Sequence, residues 1–412
     1  MQKIKAKIEK QIEENKILFN ILFVATCVFL IVFTVYFRRV YINYQSSDYT
    51  IYLIRWWNEI ELNGIKSALS MSIGNYTEFY KLVLVLGTLI TDNALLYIKI
   101  STMIFEVLFC FVIFLFCKNI FGKNTKTSIL IMLISSFIPT IIMNGSVASQ
   151  CDIIYTTMLI LMLYYIFKEK YKLSLIFFGI AFAIKLQAIF VAPIILYLLI
   201  HKKVKIREIF LIPIPYIIFG IPAFIAGKPI LDILLTYVNQ TGQYSSWTIN
   251  APNIYQFFGL NLVFGMSKIN TVILTMATGI FILGIILLLR KHYSKKMILL
   301  LSLLFALIIP FLLPKMHERY FFIADILSFI YIISFGIKRI PLHILIVLAS
   351  LFSYANYLPG VYENLFGNNI LKIFDLNILA AFNSVAIIIV VIDIIFEQEN
   401  IDKEKLLKKE SE

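Results

Sequence analysis

The chain has 412 residues, of which 60% are hydrophobic and only 15% are charged, and its formal net charge is +13. A soluble domain of this length could not bury so much apolar side chain, so the composition indicates a polytopic membrane protein. The basic residues are spread over short segments between apolar runs, which excludes the nucleic-acid partner that the net charge alone would suggest.

The first apolar run, residues 17–37, directly follows sixteen residues that carry five lysines. The run is longer than the apolar part of a signal peptide, and two arginines follow it in place of a small-residue cleavage site. We therefore predict a retained signal anchor, with residues 1–16 in the cytoplasm.

Further apolar runs of spanning or near-spanning length follow at 94–117, 127–143, 152–167, 173–184, 186–200, 208–226, 268–290, 297–313, 321–337, 341–357 and 377–396. They predict about 12 transmembrane helices, within a range of 11–13 because the two runs around Lys185 could form one kinked helix. With two spans there, 25 of the 37 Lys and Arg residues fall on the cytoplasmic side, as the positive-inside rule favours. The predicted fold class is an all-α polytopic membrane protein, with one transmembrane domain at 17–396 and a cytoplasmic tail at 397–412.

Two outward connections are long: the first outer loop, residues 38–93, and the fourth outer loop, residues 227–267. Both have amphipathic character, and aromatic residues favour the membrane interface. We expect interfacial helices in both loops, on the extracytoplasmic side of the cell membrane.

The polar residues that are hardest to explain as loop surface all fall on this outward side. They are Asp48, Arg55, Gln150, Asp152, Lys185, Gln187, Asn239, Gln240, Asn250, Asn253, Lys315, His317, Glu318 and Arg319. Polar groups at membrane depth are costly unless they face protein or a water-filled cavity. Their shared side predicts one outward-facing cavity at the membrane boundary.

Each of these residues also has a purely structural interpretation. Asp48 and Asp152 could cap helices, Lys185 could extend its amine to the interface, and residues 315–319 could form a solvated turn. These interpretations do not explain why all the clusters share one side.

The residue types suit a substrate that joins a lipid phosphate to a polar head group. Arg and Lys can bind phosphate oxygens, a carboxylate can accept a proton from an attacking hydroxyl, and Asn and Gln can bind sugar hydroxyls. No phosphate-binding loop, nucleophile elbow, zinc spacing or dinucleotide fingerprint is present in the sequence.

Several motifs together resemble the GT-C membrane glycosyltransferases. They are an acidic residue after the first span, Gln-Cys-Asp at 150–152, Lys-Leu-Gln at 185–187, NAPNIYQF at 250–257 and KMHERYFF at 315–322. More narrowly, they are similar to the bacterial relatives of the second mannosyltransferase of GPI-anchor synthesis. The resemblance implies a GT-C fold, a polyprenyl-phosphate sugar donor and an inverting transfer outside the cytoplasm.

The resemblance also implies roles for individual residues. Asp48 would be the general base, and His317 and Arg319 would lie near the donor phosphate, with Lys315 and Lys185 as helpers. Six weaker candidates would line the pocket or bind sugar: Gln150, Asp152, Gln187, Asn250, Asn253 and Arg55. Ser47 and Tyr49 flank Asp48, so the paired acidic motif of some GT-C relatives is absent here.

The predicted reaction moves a mannose-like hexose onto a cell-envelope glycan or lipid-linked acceptor, with no cofactor and no metal. Besides the donor and the acceptor, the lipid bilayer is the only other partner the sequence indicates. Two alternatives stay open: a polymerase or ligase of lipid-linked glycans, and a polyprenyl-lipid flippase or transporter.

Overall fold

The computed structural model describes residues 15–74, 76–240, 245–260, 265–367 and 373–410. The α-helices of the first half are α1 (Lys16–Val40), α2 (Ile54–Ser70), α3 (Glu78–Thr88), α4 (Ala94–Asn119), α5 (Thr125–Ser135), α6 (Pro139–Ile141), α7 (Asp152–Phe167), α8 (Tyr171–Ile184) and α9 (Pro193–Ile200). Those of the second half are α10 (Pro213–Ile225), α11 (Ile230–Leu234), α12 (Thr236–Gln240), α13 (Lys268–Leu288), α14 (Lys295–Leu312), α15 (Phe322–Phe335), α16 (Ile340–Ser353), α17 (Pro359–Phe366) and α18 (Leu376–Glu410).

Short helical turns and two strands complete the described structure. The π-helices are Tyr49–Leu53 and Ile142–Val147. The 3-10 helices are Leu186–Val191, Ile206–Leu211, Ile254–Phe258, Glu318–Phe321, Ile337–Arg339 and Tyr354–Asn356. The strands β1 (Thr248–Ile249) and β2 (Met316–His317) pair in parallel.

The described helices confirm an all-α polytopic membrane protein. Seven of them are long and apolar enough to cross a membrane: Lys16–Val40, Ala94–Asn119, Ile206–Ile225, Lys268–Leu288, Lys295–Leu312, Ile337–Asn356 and Leu376–Leu407. A helix satisfies its backbone hydrogen bonds internally, which is why these apolar runs fold this way. Three shorter apolar helices, 152–167, 171–184 and 186–200, match further predicted spans. The total of twelve, the interfacial placement of the loop helices and the sidedness stay predictions.

One predicted span, residues 127–143, is a broken helix. Helix α5 ends at Ser135, and the helical stretch Pro139–Val147 continues at an angle of 48°. Pro139 has no backbone N–H to continue the hydrogen-bond ladder of α5, and the chain resumes in a π-helical turn. The break leaves polar residues of the 140–150 segment inside the protein.

The core forms around α7 and α14, whose side chains are mostly buried. Helix α7 packs against α4 and α8, and α14 packs against α15 and α18. Helix α1 is peripheral, with most of its residues exposed, and it packs mainly against α5. The segment that leads into α7 and the junction that precedes α15 carry the candidate site.

Candidate active site

Asp48 lies at the start of the π-helix Tyr49–Leu53, and its side chain makes no helix cap. Instead, carboxylate oxygen Oδ2 accepts a hydrogen bond from Nε2 of Gln150. The same oxygen lies 3.6 Å from Nη1 of Arg319. The structure thus brings together the first outer loop, the segment before α7 and the KMHERYFF junction.

The chain around Asp48 is held in place by its neighbours. The hydroxyl of Ser46 donates to the carbonyl of Ala148 at 2.7 Å and accepts from the backbone N–H of Tyr49 at 3.2 Å. The backbone N–H of Asp48 donates to the hydroxyl of Tyr357 at 3.2 Å. These bonds fix the Asp48 backbone relative to the segment that carries Gln150.

The junction between α14 and α15 presents Arg319 to Asp48. Strand β2 pairs with β1, and the backbone N–H of Lys315 donates to the carbonyl of Trp247 at 2.8 Å. This pairing ties the junction to the fourth outer loop. The chain then turns through the 3-10 helix Glu318–Phe321, which carries Arg319 at its second position.

Glu318 contacts the side chains of both Arg319 and His317 in the junction. Its Oε1 accepts from Nη1 of Arg319 at 2.8 Å, and its Oε2 lies 3.7 Å from Nδ1 of His317. Burial by itself would raise the pKa of Glu318, but Arg319 and then His317 outweigh burial and lower the pKa to about 2. Glu318 is therefore an ionised partner for Arg319.

The other two groups of the junction differ in charge. Burial, followed by the nearby Arg319, lowers the pKa of His317, so the imidazole is neutral at neutral pH. Burial also opposes the charge of Arg319, but Glu318 and then Asp48 raise its pKa by more. Arg319 is consequently the cation of this site. Its Nε–H is buried and has no hydrogen-bond partner among the described residues.

A second ion pair, Asp152 with Lys185, lies next to the first. One oxygen of Asp152 contacts Nζ of Lys185, and the other accepts from Nδ2 of Asn144 at 2.7 Å. Burial would lower the pKa of Lys185, but Asp152 raises it by more. Lys185 Nζ also lies 5.5 Å from the ring centre of Tyr76. Asp152 and Lys185 therefore neither cap a helix nor extend into solvent.

The remaining predicted residues are less closely gathered. Gln187 is buried, and its side chain interacts with that of Tyr320. Asn250 forms a backbone bridge to His317, and Asn253 is fully buried.

Lys315 has a positive φ of 62° and is half-buried, and no hydrogen bond or ion pair of its side chain is seen within the described ranges. Arg55 is exposed and, among the described residues, makes no ion pair with Asp48 or Glu318.

Four residues at the site were not predicted. Tyr76 donates to Oε1 of Gln150 at 3.4 Å, and Tyr357 binds the Asp48 backbone. Asn144 donates to both Asp152 and the hydroxyl of Tyr354. Tyrosine is common at any membrane interface, and Asn144 is an ordinary polar residue of the short connection after the apolar run 127–143, so neither pattern distinguishes these residues in the sequence.

The arrangement supplies a carboxylate, a cation and an unpartnered donor at one place. Within the described ranges, no three His, Cys, Asp or Glu side chains gather as metal ligands would. A carboxylate can remove a proton from a hydroxyl, and a guanidinium can bind a phosphate oxygen. This pairing suits transfer of a group from a phosphate to a hydroxyl.

Comparison with known families supports the same chemistry. The model of the family described as dolichyl-phosphate-mannose-protein mannosyltransferase matches residues 79–231, which is less than half of the chain. No curated protein matches the sequence significantly. The family match supports a membrane glycosyltransferase of the GT-C type, a class that uses polyprenyl-phosphate sugars. The matched range includes Gln150, Asp152, Lys185 and Gln187, but not Asp48 or Arg319.

Proposed function

We propose that this protein transfers a mannose-like hexose from a polyprenyl-phosphate donor to a glycan or lipid-linked acceptor at the outer face of the cell membrane. The proposal includes a relationship to the bacterial relatives of the second GPI mannosyltransferase. It is supported by the GT-C type family match and by the motifs that lie outside the matched range.

The observation that carries the proposal is the contact between Asp48 and Arg319. These residues are 271 positions apart in the chain, yet Asp48 Oδ2 lies 3.6 Å from Arg319 Nη1. A proton acceptor and a phosphate-binding cation are both needed where a glycosyl group leaves a phosphate. Their side chains retain 19% and 12% exposure, so substrate groups can reach both.

In the proposed reaction, the acceptor hydroxyl attacks the anomeric carbon from the face opposite the phosphate, and the configuration inverts. Asp48 takes the hydroxyl proton as the new C–O bond forms. The bond between the anomeric carbon and the phosphate oxygen breaks, and both bonding electrons leave with the lipid phosphate. The guanidinium of Arg319, whose side chain stays 12% exposed, can donate to that phosphate.

The neighbouring groups have supporting roles in this proposal. His317 is neutral and would contribute a hydrogen bond to the phosphate, whereas Lys185 contributes positive charge from its pair with Asp152. Lys315 could supply a further cation once donor is bound. Gln150 holds Asp48 in place. Asn253 is fully buried, so this proposal gives it no contact with the sugar.

The test replaces Asp48 by Asn in membranes that are given a labelled lipid-linked hexose. Loss of the general base should lower the transfer rate by about 10²–10⁴-fold. The matched control is Asp92→Asn, because Asp92 is an exposed carboxylate of the same outer loop. A properly folded Asp48→Asn variant with near-wild-type transfer would remove Asp48 from the mechanism.

The same assay separates the alternative functions. Transfer of a polymeric glycan rather than one hexose, seen as a larger product, would favour a polymerase or ligase. Accumulation of the lipid-linked sugar across vesicles without covalent transfer would favour a flippase or transporter.

A further inference from the structure

Asp325 is a buried carboxylate that the proposed reaction does not use. It lies in the first turn of α15 and is fully buried. Neither carboxylate oxygen has a hydrogen-bond partner among the described residues, and no charged group among them acts on it. An isolated charge in this position is costly, so the surroundings of Asp325 need an explanation.

Two hydroxyl groups from two other helices lie next to this carboxylate. They belong to Thr140 on α6 and Ser350 on α16, and both residues are 0% exposed. Helix α16 packs against both α6 and α15, which brings the three side chains together. Neither hydroxyl oxygen has a hydrogen-bond partner of normal geometry in the described structure. The two carboxylate oxygens and the two hydroxyl oxygens are therefore buried near one another, and among the described residues no hydrogen bond of normal geometry joins them.

The backbone near Thr140 is also unusual. Thr140 immediately follows the break of the span, where Pro139 begins a helical stretch bent by 48° from α5. Irregular backbone at membrane depth is tolerated when it is buried in protein or lines a polar cavity. Broken helices in membrane proteins form ion sites in this way.

We propose that Asp325, Thr140 and Ser350 bind a sodium ion. Hard cations prefer oxygen ligands, and the four side-chain oxygens are of that kind. A monovalent ion balances the single carboxylate, whereas a divalent ion would leave an uncompensated positive charge inside the protein. This binding proposal does not depend on the proposed transferase activity.

The ion would join three segments that each lead to the candidate active site. Beyond Thr140, the π-helix Ile142–Val147 carries Asn144 toward Asp152. Asp325 lies in the first turn of α15, directly after the 3-10 helix Glu318–Phe321 that carries Glu318 and Arg319. Ser350 is followed by Ser353, whose hydroxyl donates to the carbonyl of Glu318 at 3.4 Å. Bound sodium would therefore stabilise the relative positions of the site residues.

The test measures the melting temperature of the purified full-length protein in NaCl, KCl and choline chloride at equal ionic strength. Sodium should raise the melting temperature saturably, by about 2–4 °C at large excess, relative to choline. Equal melting temperatures in NaCl and choline chloride, or a rise with KCl but not with NaCl, would overturn the proposal.

Three variants and a control locate the site. Asp325→Asn should remove the sodium-dependent shift while the variant stays folded, because a neutral amide replaces the buried charge. Thr140→Val and Ser350→Ala should each raise the half-maximal sodium concentration about tenfold. They test the site even if Asp325→Asn does not fold.

Ser328→Ala is the control and should leave the shift unchanged, since its hydroxyl bonds the Asp325 backbone carbonyl and His343 instead. A full shift in all three ligand variants would refute the assignment. No sugar donor is present, so failure of the transfer assay would not affect this result.

Discussion

The two neighbouring ion pairs at the candidate site differ in how completely they are closed. In the Asp152–Lys185 pair the side chains are 1% and 7% exposed, and both carboxylate oxygens of Asp152 have partners. In the Asp48–Arg319 pair the two charges lie 3.6 Å apart, and the Nε–H of Arg319 has no described partner. In the closed pair, Asp152–Lys185, the hydrogen-bonding groups of the carboxylate are used within the protein. In the open pair, Asp48–Arg319, hydrogen-bonding groups are left for a substrate.

This difference predicts that the closed pair chiefly maintains the structure and that the open pair chiefly supports turnover. Two buried charges are tolerated only when each is well compensated, so loss of either partner of the closed pair should lower the stability of the protein. Substrate chemistry needs groups that can change partners during the reaction. The following substitutions can separate these two roles, beginning with the largest expected effect.

Asp152→Asn should destabilise the protein by about 3–5 kcal/mol, because Lys185 would stay buried without a carboxylate. Thermal unfolding of the purified protein measures this loss. The double variant Asp152→Asn with Lys185→Met should recover much of the stability, since both charges are then absent. A double variant no more stable than the single one would show that the pair is not the cause.

A surface pair supplies the control for this prediction. Lys405 lies 3.5 Å from Asp402 one helical turn away, and both side chains are about half exposed. Exposed pairs contribute about 0–1 kcal/mol, so Lys405→Met should change stability little. A large effect there would mean that any loss of charge destabilises this protein.

Arg319→Lys should lower the transfer rate by about 10²–10³-fold with a smaller effect on stability. Lysine keeps the charge, but it has no equivalent of the Nε–H and cannot bind Glu318 and a phosphate in the same forked geometry. Initial rates with a labelled donor measure the effect. Arg207→Lys, at an exposed position near the start of the 3-10 helix Ile206–Leu211, is the matched control and should transfer like the wild type. Equal activity of both variants would show that charge alone suffices at position 319.

The sequence predicted the helices of the fold well because each span needs a continuous apolar run. The run at 94–117 became helix Ala94–Asn119, and the run at 268–290 became helix Lys268–Leu288. The sequence did not predict the break at Pro139, because an apolar run indicates that a segment can span a membrane but not that its helix is straight. The bend depends on which neighbouring helices accept the freed backbone groups.

The partners of the charged residues could not be predicted from the sequence. Asp152 and Lys185 are 33 positions apart, and nothing in their local patterns indicates that they form a pair. Asp48 was distinguished by its resemblance to a family motif, but its contact with Gln150 depends on the packing of three segments. Glu318 had no assigned role in the sequence, and the structure shows that it contacts both Arg319 and His317.

Glu318→Gln tests how far the open pair depends on its buried partner. At neutral pH we expect a loss of about 1.5–3 kcal/mol in stability, the usual contribution of a hydrogen bond to a charged group. The pKa of Glu318 is lowered to about 2 in the folded protein, against about 4.3 in an unfolded chain. Its stabilising contribution is therefore complete above about pH 4.3 and is lost as the pH falls toward about 2.

The difference in melting temperature between the wild type and Glu318→Gln should accordingly shrink as the pH is lowered through this window. The control is Glu363→Gln, which changes an exposed carboxylate on helix α17 and whose melting temperature should follow the wild type at every pH. A difference that stays constant down to about pH 2 would mean that the Glu318 charge does not hold Arg319. Asp48, whose Oδ2 lies 3.6 Å from Nη1 of Arg319, would then be the carboxylate that positions Arg319.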